Sequence, residues 1–145
     1  MADCLFCAIV AGRVPAFEVV ERPDYLGFLD IRPVFKGHVL VIPKRHVPEL
    51  VDLPADLLTG FFELVREVAG AVPAALGAQG TFVAMNNVVS QSVPHLHAHV
   101  VPRTKGDGLR GFFWPRTKYA SDEEAISYAE RIGKDLGQAG VTSGG

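Results

Sequence analysis

The run His95-Leu96-His97-Ala98-His99-Val100-Val101-Pro102-Arg103 constrains this chain more than any other segment. Polar and apolar residues alternate along it. In an extended strand, successive side chains point to opposite faces. The three imidazoles then share one face, while Leu96, Ala98 and Val100 share the other, where a core can bury them. Three of the five histidines in the chain fall within these five positions. Imidazole gains or loses a proton most readily near neutrality and is a common metal ligand.

At 145 residues the chain is expected to form one domain, 1–145. Its core is expected over about 3–103, followed by a loop and helix over 104–139 and a flexible tail over 140–145. An apolar content of 48% and a mean hydropathy of +0.21 suit a globular protein with a substantial core. No apolar run approaches the ~20 residues that span a bilayer. The N-terminus lacks a basic stretch followed by a long apolar one, so the expected location is the cytoplasm, with no membrane partner. A net charge of −2 argues against a general nucleic-acid binder. The two cysteines are spaced Cys4-x-x-Cys7, which in a reducing compartment suggests metal or redox chemistry before a structural disulfide.

Asp3 is positioned to N-cap a short helix from Cys4 to about Ala11, ended by Gly12. Phe17–Glu21 and Tyr25–Asp30 predict a hairpin around Arg22-Pro23-Asp24. Val39–Ile42 predicts a buried strand. Leu57, Phe61, Leu64, Val65, Val68 and Val72 recur at helical spacing from about Pro54, with Pro73 expected to end or kink that helix. Thr81–Asn86 and His97–Pro102 predict two more strands. Ser121 and Glu124 form a capping-box signature for a last helix over about 122–136. Two connections are too short for parallel crossovers. The expected class is α+β: an antiparallel sheet of about five strands with helices packed on one face.

The triad run and three other segments together resemble the histidine-triad (HIT) family of nucleotide hydrolases and transferases. His95 to Val101 matches that family's motif of histidines alternating with apolar residues. Phe28-Leu29-Asp30-Ile31-Arg32-Pro33 is similar to its ribose-binding segment, and Gly37 to His46 to its central strand and following turn. Gln91-Ser92-Val93-Pro94 is similar to its phosphate loop. The resemblance covers roughly 3–103, and within the family it points to the small zinc-containing bacterial nucleotide hydrolases of the nucleotide-binding branch.

The chemistry can be argued beside the resemblance. Attack at phosphorus needs a nucleophile that is neutral near pH 7 and leaves readily, and a neutral imidazole meets both needs. The resemblance assigns this role to His97. One ring nitrogen must then keep its lone pair while the other donates, with a backbone carbonyl the expected acceptor. His99 is expected to contact the phosphoryl oxygens and stabilise their developing charge. By family pattern, Ser92, Gln91 and the N–H of Val93 serve the phosphate or leaving-group side. His38 would be a partner of the triad or of the leaving group, although a structural hydrogen bond explains a lone histidine equally well. Asp30 matches a carboxylate that accepts from both ribose hydroxyls, and by itself it also reads as a strand-end turn residue. Phe6, Ile9, Phe28 and Ile31 match positions that sandwich the base, and all four are ordinary core candidates too. Asn86 matches a ribose- or phosphate-binding asparagine. The segment from Asn86 to Gln91 departs from the family: it is about two residues short and lacks the usual glycines.

Cys4, Cys7, His46 and His95 match a zinc set found in some prokaryotic family members. Four protein ligands close the coordination shell, so such a zinc would be structural. Buried free thiols or a redox pair are the alternatives. Arg103, Lys105, Arg110, Arg116 and Lys118, interleaved with Phe112, Phe113 and Trp114, suggest either a solvated loop with an apolar anchor or a surface for the second half of a nucleotide substrate or for a nucleic acid. The resemblance also implies a homodimer and a purine nucleotide or nucleotide conjugate as ligand. The expected activity is hydrolysis or transfer at the nucleoside α-phosphate through a nucleotidyl-His97 intermediate, with phosphoramidates and dinucleoside polyphosphates as candidate substrates. Two other readings remain open. The three strand histidines could hold one catalytic zinc with an open water position, or the chain could be a nucleotide-binding regulatory module without catalysis.

Overall fold

The structure is a computed structural model that describes residues 3–109 and 116–143, with side chains described through 137. It divides into two compact units, 1–107 and 108–145. The first contains a short helix α1 (Leu5–Val10), strands β1 (Glu18–Glu21), β2 (Tyr25–Leu29) and β3 (Val39–Pro43), and a single 3₁₀ turn at Leu50–Asp52. The long helix α2 (Ala55–Leu76) and strands β4 (Gly80–Ala84) and β5 (Ala98–Arg103) complete it. The second contains α3 (Asp122–Ser143). No helix among the described residues is long and apolar enough to cross a membrane.

The five strands form one sheet in the order β1-β2-β3-β5-β4, and every neighbouring pair is antiparallel. Pairing of β3 with β5 sets Leu40 opposite His99 and Val41 opposite Ala98. The two faces of the sheet bury different sets of residues. On one face Val39, Val41, Leu96, Ala98 and Val100 pack with Phe61, Leu64, Val65, Val68 and Val72 of α2. On the other, Leu26, Phe28, Leu40 and Ile42 pack with Cys4 and Phe6 at α1. Helices therefore cover both faces, where one was expected. The reason lies in β3, which is apolar in both of its alternations and buried at all five positions.

Several expected boundaries shift for physical reasons. Cys4, not Asp3, caps α1: its sulfur accepts the Cys7 N–H at 3.4 Å. Pro73 does not end α2, which continues to Leu76 and stops at Gly77, a left-handed residue whose N–H reaches the Pro73 carbonyl at 2.9 Å. Proline removes one helical hydrogen bond, and burial of Val68 and Val72 on the sheet offsets it. Regular strand β5 begins at Ala98, so His95 and His97 precede it. Their facing is set instead by two backbone bonds, His95 N–H to Val93 O at 2.8 Å and Leu96 N–H to Val47 O at 2.6 Å. Helix α3 starts with the expected capping box (Ser121 Oγ accepts the Glu124 N–H at 3.1 Å) but runs past Leu136 to Ser143, into the segment expected as a tail. Glycine costs a helix about 1 kcal/mol and does not forbid it. Arg110, Phe112, Phe113 and Trp114 lie outside the described residues.

Candidate active site and metal-ligand cluster

A cleft of about 470 Å³ opens on the α1 face of the sheet. Apolar walls from α1 (Leu5, Phe6, Ile9) and from Phe28, Ile31 and Leu40 enclose a short polar strip of Asp30, Arg32, Ser92, His97 and His99. That size and balance suit a small-molecule site. Phe6 stands edge-on to Phe28 and His97, with ring centroids 5.4 and 5.1 Å apart. Ile31 is 78% exposed, an apolar side chain at the rim with nothing yet packed on it.

The hydrogen bonds settle which ring nitrogen carries a proton. His97 is 3% exposed, and its Nδ1 lies 2.8 Å from the carbonyl of His95. A carbonyl only accepts, so Nδ1 carries a hydrogen, and in the neutral ring Nε2 is the nitrogen with the lone pair. At His38, Nδ1 accepts the Val34 N–H at 3.1 Å, which puts the proton of the neutral ring on Nε2. That N–H donates to His99 Nδ1 at 3.0 Å, so the proton of His99 sits on Nε2. The sequence thus leads from the Val34 amide through two imidazoles to a free N–H on a ring that lines the cleft. Burial pushes the pKa of His99 down to about 4, helped by His97 and His38 and opposed by Asp30. Burial also lowers that of His38, with Asp30 opposing and His97 adding to the effect. Both rings are neutral at pH 7, as the donor chain requires.

Asp30 ends β2 facing the same cleft. Its Oδ1 accepts the Arg32 N–H at 2.9 Å, and its Oδ2 stands 3.7 Å from His38 Nε2. Further lone pairs of the carboxylate remain for two hydroxyls. Ser92 and Val93 also line the cleft. Gln91 and Asn86 do not: the Gln91 amide donates to the Pro48 carbonyl at 2.7 Å, and Asn86 Nδ2 to the Ser90 carbonyl at 3.3 Å. Asn87 accepts the Leu50 N–H at 3.0 Å. These polar side chains clamp the loop that carries Ser92. Without glycines that loop places Val88 (φ 66°) and Ser90 (φ 63°) in left-handed backbone, which is costly for a β-branched valine. Arg32 is a cleft residue that the sequence reading did not single out. Its place two residues after Asp30, in a turn closed by the aspartate side chain, was the available signal.

Next to the cleft, Cys4, Cys7, His46 and His95 bring one ligand atom each to within 4.8 Å of the others. Cys4 Sγ is 3.4 Å from His95 Nδ1; Cys7 Sγ is 3.3 Å from His46 Nδ1 and 3.6 Å from His95 Nδ1. Tetrahedral zinc with ordinary Zn–S and Zn–N bonds sets sulfur–nitrogen edges of about 3.5 Å. His95 also has the right tautomer, because its Nε2–H donates to the Pro43 carbonyl at 2.8 Å and leaves the Nδ1 lone pair toward the sulfurs. The donor set and its geometry fit zinc. The three triad rings do not converge on one point. His95 joins the cysteine cluster, and His99 lies with Asp30 and His38. The Nδ1 of His97 is committed to a carbonyl. A single catalytic zinc shared by all three histidines does not match this arrangement.

Comparison with known proteins agrees with the geometry. The HIT domain family model matches residues 11–106. Protein hit of Bacillus subtilis is 40% identical over 137 residues, covering 92% of this chain and 94% of that protein. Adenosine 5′-monophosphoramidase hnt1 of Schizosaccharomyces pombe is 34% identical over 136 residues, covering 92% and 98%. Among solved structures, a Zn-bound histidine triad family protein from Mycobacterium smegmatis is 37% identical, with a TM-score of 0.71 and coverage of 94% of this chain and 98% of that one. With the motif on the sheet face the alternation demanded, and a family match over most of the first unit, this chain belongs to the HIT family.

Proposed function

We propose that this protein hydrolyses the bond between a nucleoside 5′-phosphoryl group and its leaving group, through a nucleotidyl-His97 intermediate. The observation that carries this reading is the ring of His97. Its Nδ1–H is tied to a carbonyl, and its free nitrogen belongs to a side chain lining a cleft of nucleotide size. The base would lie between Phe6, Ile9, Phe28 and Ile31, with the ribose hydroxyls on Asp30. His97 Nε2 then attacks phosphorus as the bond to the leaving group breaks, the departing nitrogen taking up a proton from solvent. Because Nε2 starts without a proton, attack releases none, and the Nδ1–H bond to the His95 carbonyl stabilises the charge the ring acquires. His99 Nε2–H and the Ser92 hydroxyl donate to the phosphoryl oxygens as their charge redistributes. Water next attacks phosphorus and gives up a proton to solvent, while the bond to His97 breaks with its electrons returning to Nε2, which restores the neutral ring. Gln91 acts by holding the loop that carries Ser92.

Nucleoside phosphoramidates are the preferred substrates in this reading. Among the described residues lining the cleft, Arg32 is the single lysine or arginine and follows Asp30, the ribose ligand of this reading. A polyphosphate leaving group would find no lysine or arginine among them beside His97. The monophosphoramidase name of the S. pombe relative supports the same class. Zinc held by Cys4, Cys7, His46 and His95 would be structural, tying α1 to the segment that carries His97. A homodimer is part of the proposal: β4 is an edge strand, and Val83 on β4 and Leu58 and Phe62 on α2 are exposed apolar side chains. The test is turnover of a nucleotide panel carrying ³²P at the α-phosphate, with rapid quenching to trap labelled protein. Wild type should accumulate label on His97, and His97→Gly should bind nucleoside monophosphate yet neither label nor turn over. Turnover surviving in His97→Gly at the wild-type rate refutes the nucleophile.

A further inference from the structure

One residue belongs to both the metal-ligand cluster and the reaction centre. His95 directs Nδ1 at the two cysteine sulfurs, while its main-chain carbonyl accepts the Nδ1–H of His97. The other ring nitrogen of His95 holds the Pro43 carbonyl. Without a partner at Nδ1 the imidazole has one directional anchor and can pivot about it. With Nδ1 also held, the ring is fixed at both ends, and so is the peptide carbonyl two bonds from its Cα. The ring is completely buried and edge-on to Phe6, whose own ring is edge-on to His97. A shift of His95 is therefore felt by His97 along two contacts, one hydrogen-bonded and one packed.

We propose that Cys4 and Cys7 are positioning residues for the reaction: by holding zinc against His95 they hold the carbonyl that fixes the His97 ring. The proposal rests on the function above for the catalytic role of His97 and for zinc at the four ligands. It differs from a plain staple in what it requires. A zinc that merely pins α1 would shape the base wall of Leu5, Phe6 and Ile9, so its loss would weaken nucleotide binding and reach His97 only through its packing on Phe6, leaving the Nδ1–H bond to the His95 carbonyl and the ring tautomer unchanged. A zinc that positions His97 must change the ring itself and the rate after binding. The cap geometry makes the two separable. Cys4 caps α1 through its sulfur, and serine is a strong N-cap, so Cys4→Ser removes a thiolate ligand while keeping the helix start.

The experiment uses the full chain loaded with zinc or cobalt, the same chain stripped by a chelator, and the variants Cys4→Ser and Cys7→Ser. Cobalt-loaded protein reports the site by its thiolate charge-transfer absorption, which each variant should lose. Nitrogen-15 spectra of the histidine rings should show one tautomer at His97, protonated on Nδ1, in the loaded chain. They should show a mixture or a shifted resonance in the stripped chain and both variants. Loss of a supporting group around a metal centre typically costs 10–100-fold, and here kcat should fall by ~10-fold or more while KM changes by less. Far-ultraviolet circular dichroism checks that each form is folded. The proposal is overturned by a folded, metal-free form whose His97 spectrum and kcat match the loaded chain, even if KM has risen. Metal retained at full occupancy in Cys7→Ser overturns it as well. If the loaded chain turns over no nucleotide, the functional reading fails, and the His97 spectrum alone still decides the coupling between metal and ring.

Discussion

Replacing His38 tests the hydrogen-bond sequence that sets the His99 proton. His38 is 3% exposed and makes two bonds, accepting from Val34 N–H and donating to His99 Nδ1. His38→Ala deletes both and leaves a partly buried amide without its acceptor. At about 1 kcal/mol net for each bond, plus roughly 1 kcal/mol for lost packing beside a cleft that water can enter, the variant should lose about 2–3 kcal/mol of stability. The functional effect has a different signature. His99 loses the donor that reserved its Nδ1 as acceptor, so its proton is shared between both nitrogens. It also loses one of the causes that depress its pKa, so that value rises from about 4 toward 6.5. Its neutral form is then lost at higher pH, and the acid limb of kcat/KM moves upward. The rate at pH 7 should fall by ~10-fold, equivalent to about 1.4 kcal/mol. His38→Gln, which keeps a donor at the end of the side chain, should recover part of the rate without the Val34 bond. Urea unfolding, pH–rate profiles and ring nitrogen spectra read the three effects separately. An unchanged His99 tautomer and acid limb in a destabilised His38→Ala would refute the argument.

Asp30→Asn removes the acceptor capacity for two hydroxyls; KM for a ribonucleotide should rise 10–100-fold and that for its 2′-deoxy analogue much less, and equal losses for both would remove Asp30 from the ribose site. Folding stability should decline in acid before any carboxylate titrates. His38 and His99 are depressed in the folded state relative to 6.5 unfolded, so the unfolded chain binds more protons below pH 6.5. Stability present above that value is lost as pH falls toward about 4. Denaturant titrations at pH 7.5 and 5 should differ by about 1–2 kcal/mol after allowing for solvent screening at the cleft; equal midpoints would contradict it. Gly37→Ala should cost about 1–2 kcal/mol. The residue has φ +98°, and although the new Cβ would run into Leu76 Cδ1, that flexible, half-exposed side chain can yield. A thermal midpoint equal to wild type would show that the backbone relaxes at no cost.

Much of the fold was legible because its elements follow local periodicities. The long apolar stripe from Leu57 to Val72 became α2, and each expected strand appeared within two residues of its bounds. The misreadings share a cause. Pro73 looked like an end, and α1 looked like one more helix for a single face. Both were decided by burial against residues distant in sequence. The loop from Asn86 to Gln91 was recognised as short and glycine-poor. The clamps from Asn87 and Gln91 depend on where Leu50 and Pro48 arrive, while Asn86 closes the loop locally on Ser90. At the site, sequence named the chemical groups, but it did not show that the amides of Gln91 and Asn86 donate to the Pro48 and Ser90 carbonyls.

The alternation from His95 to Val101 determined that three imidazoles would share a face opposite a buried stripe. Cys4-x-x-Cys7 determined that two thiols would meet at the start of one helix. The second is a short-range consequence of helix repeat; the first also rests on the backbone bonds of His95 to Val93 and of Leu96 to Val47, because β5 begins only at Ala98. What only the tertiary structure decided is the state of each ring. The Pro43 carbonyl turns His95 toward the cysteines, the His95 carbonyl frees Nε2 of His97, and the Val34 amide, acting through His38, leaves His99 a donor. A proton on imidazole goes to whichever nitrogen meets an acceptor. Pro43, Val34 and His38 reach these rings only when separate parts of the chain are folded together.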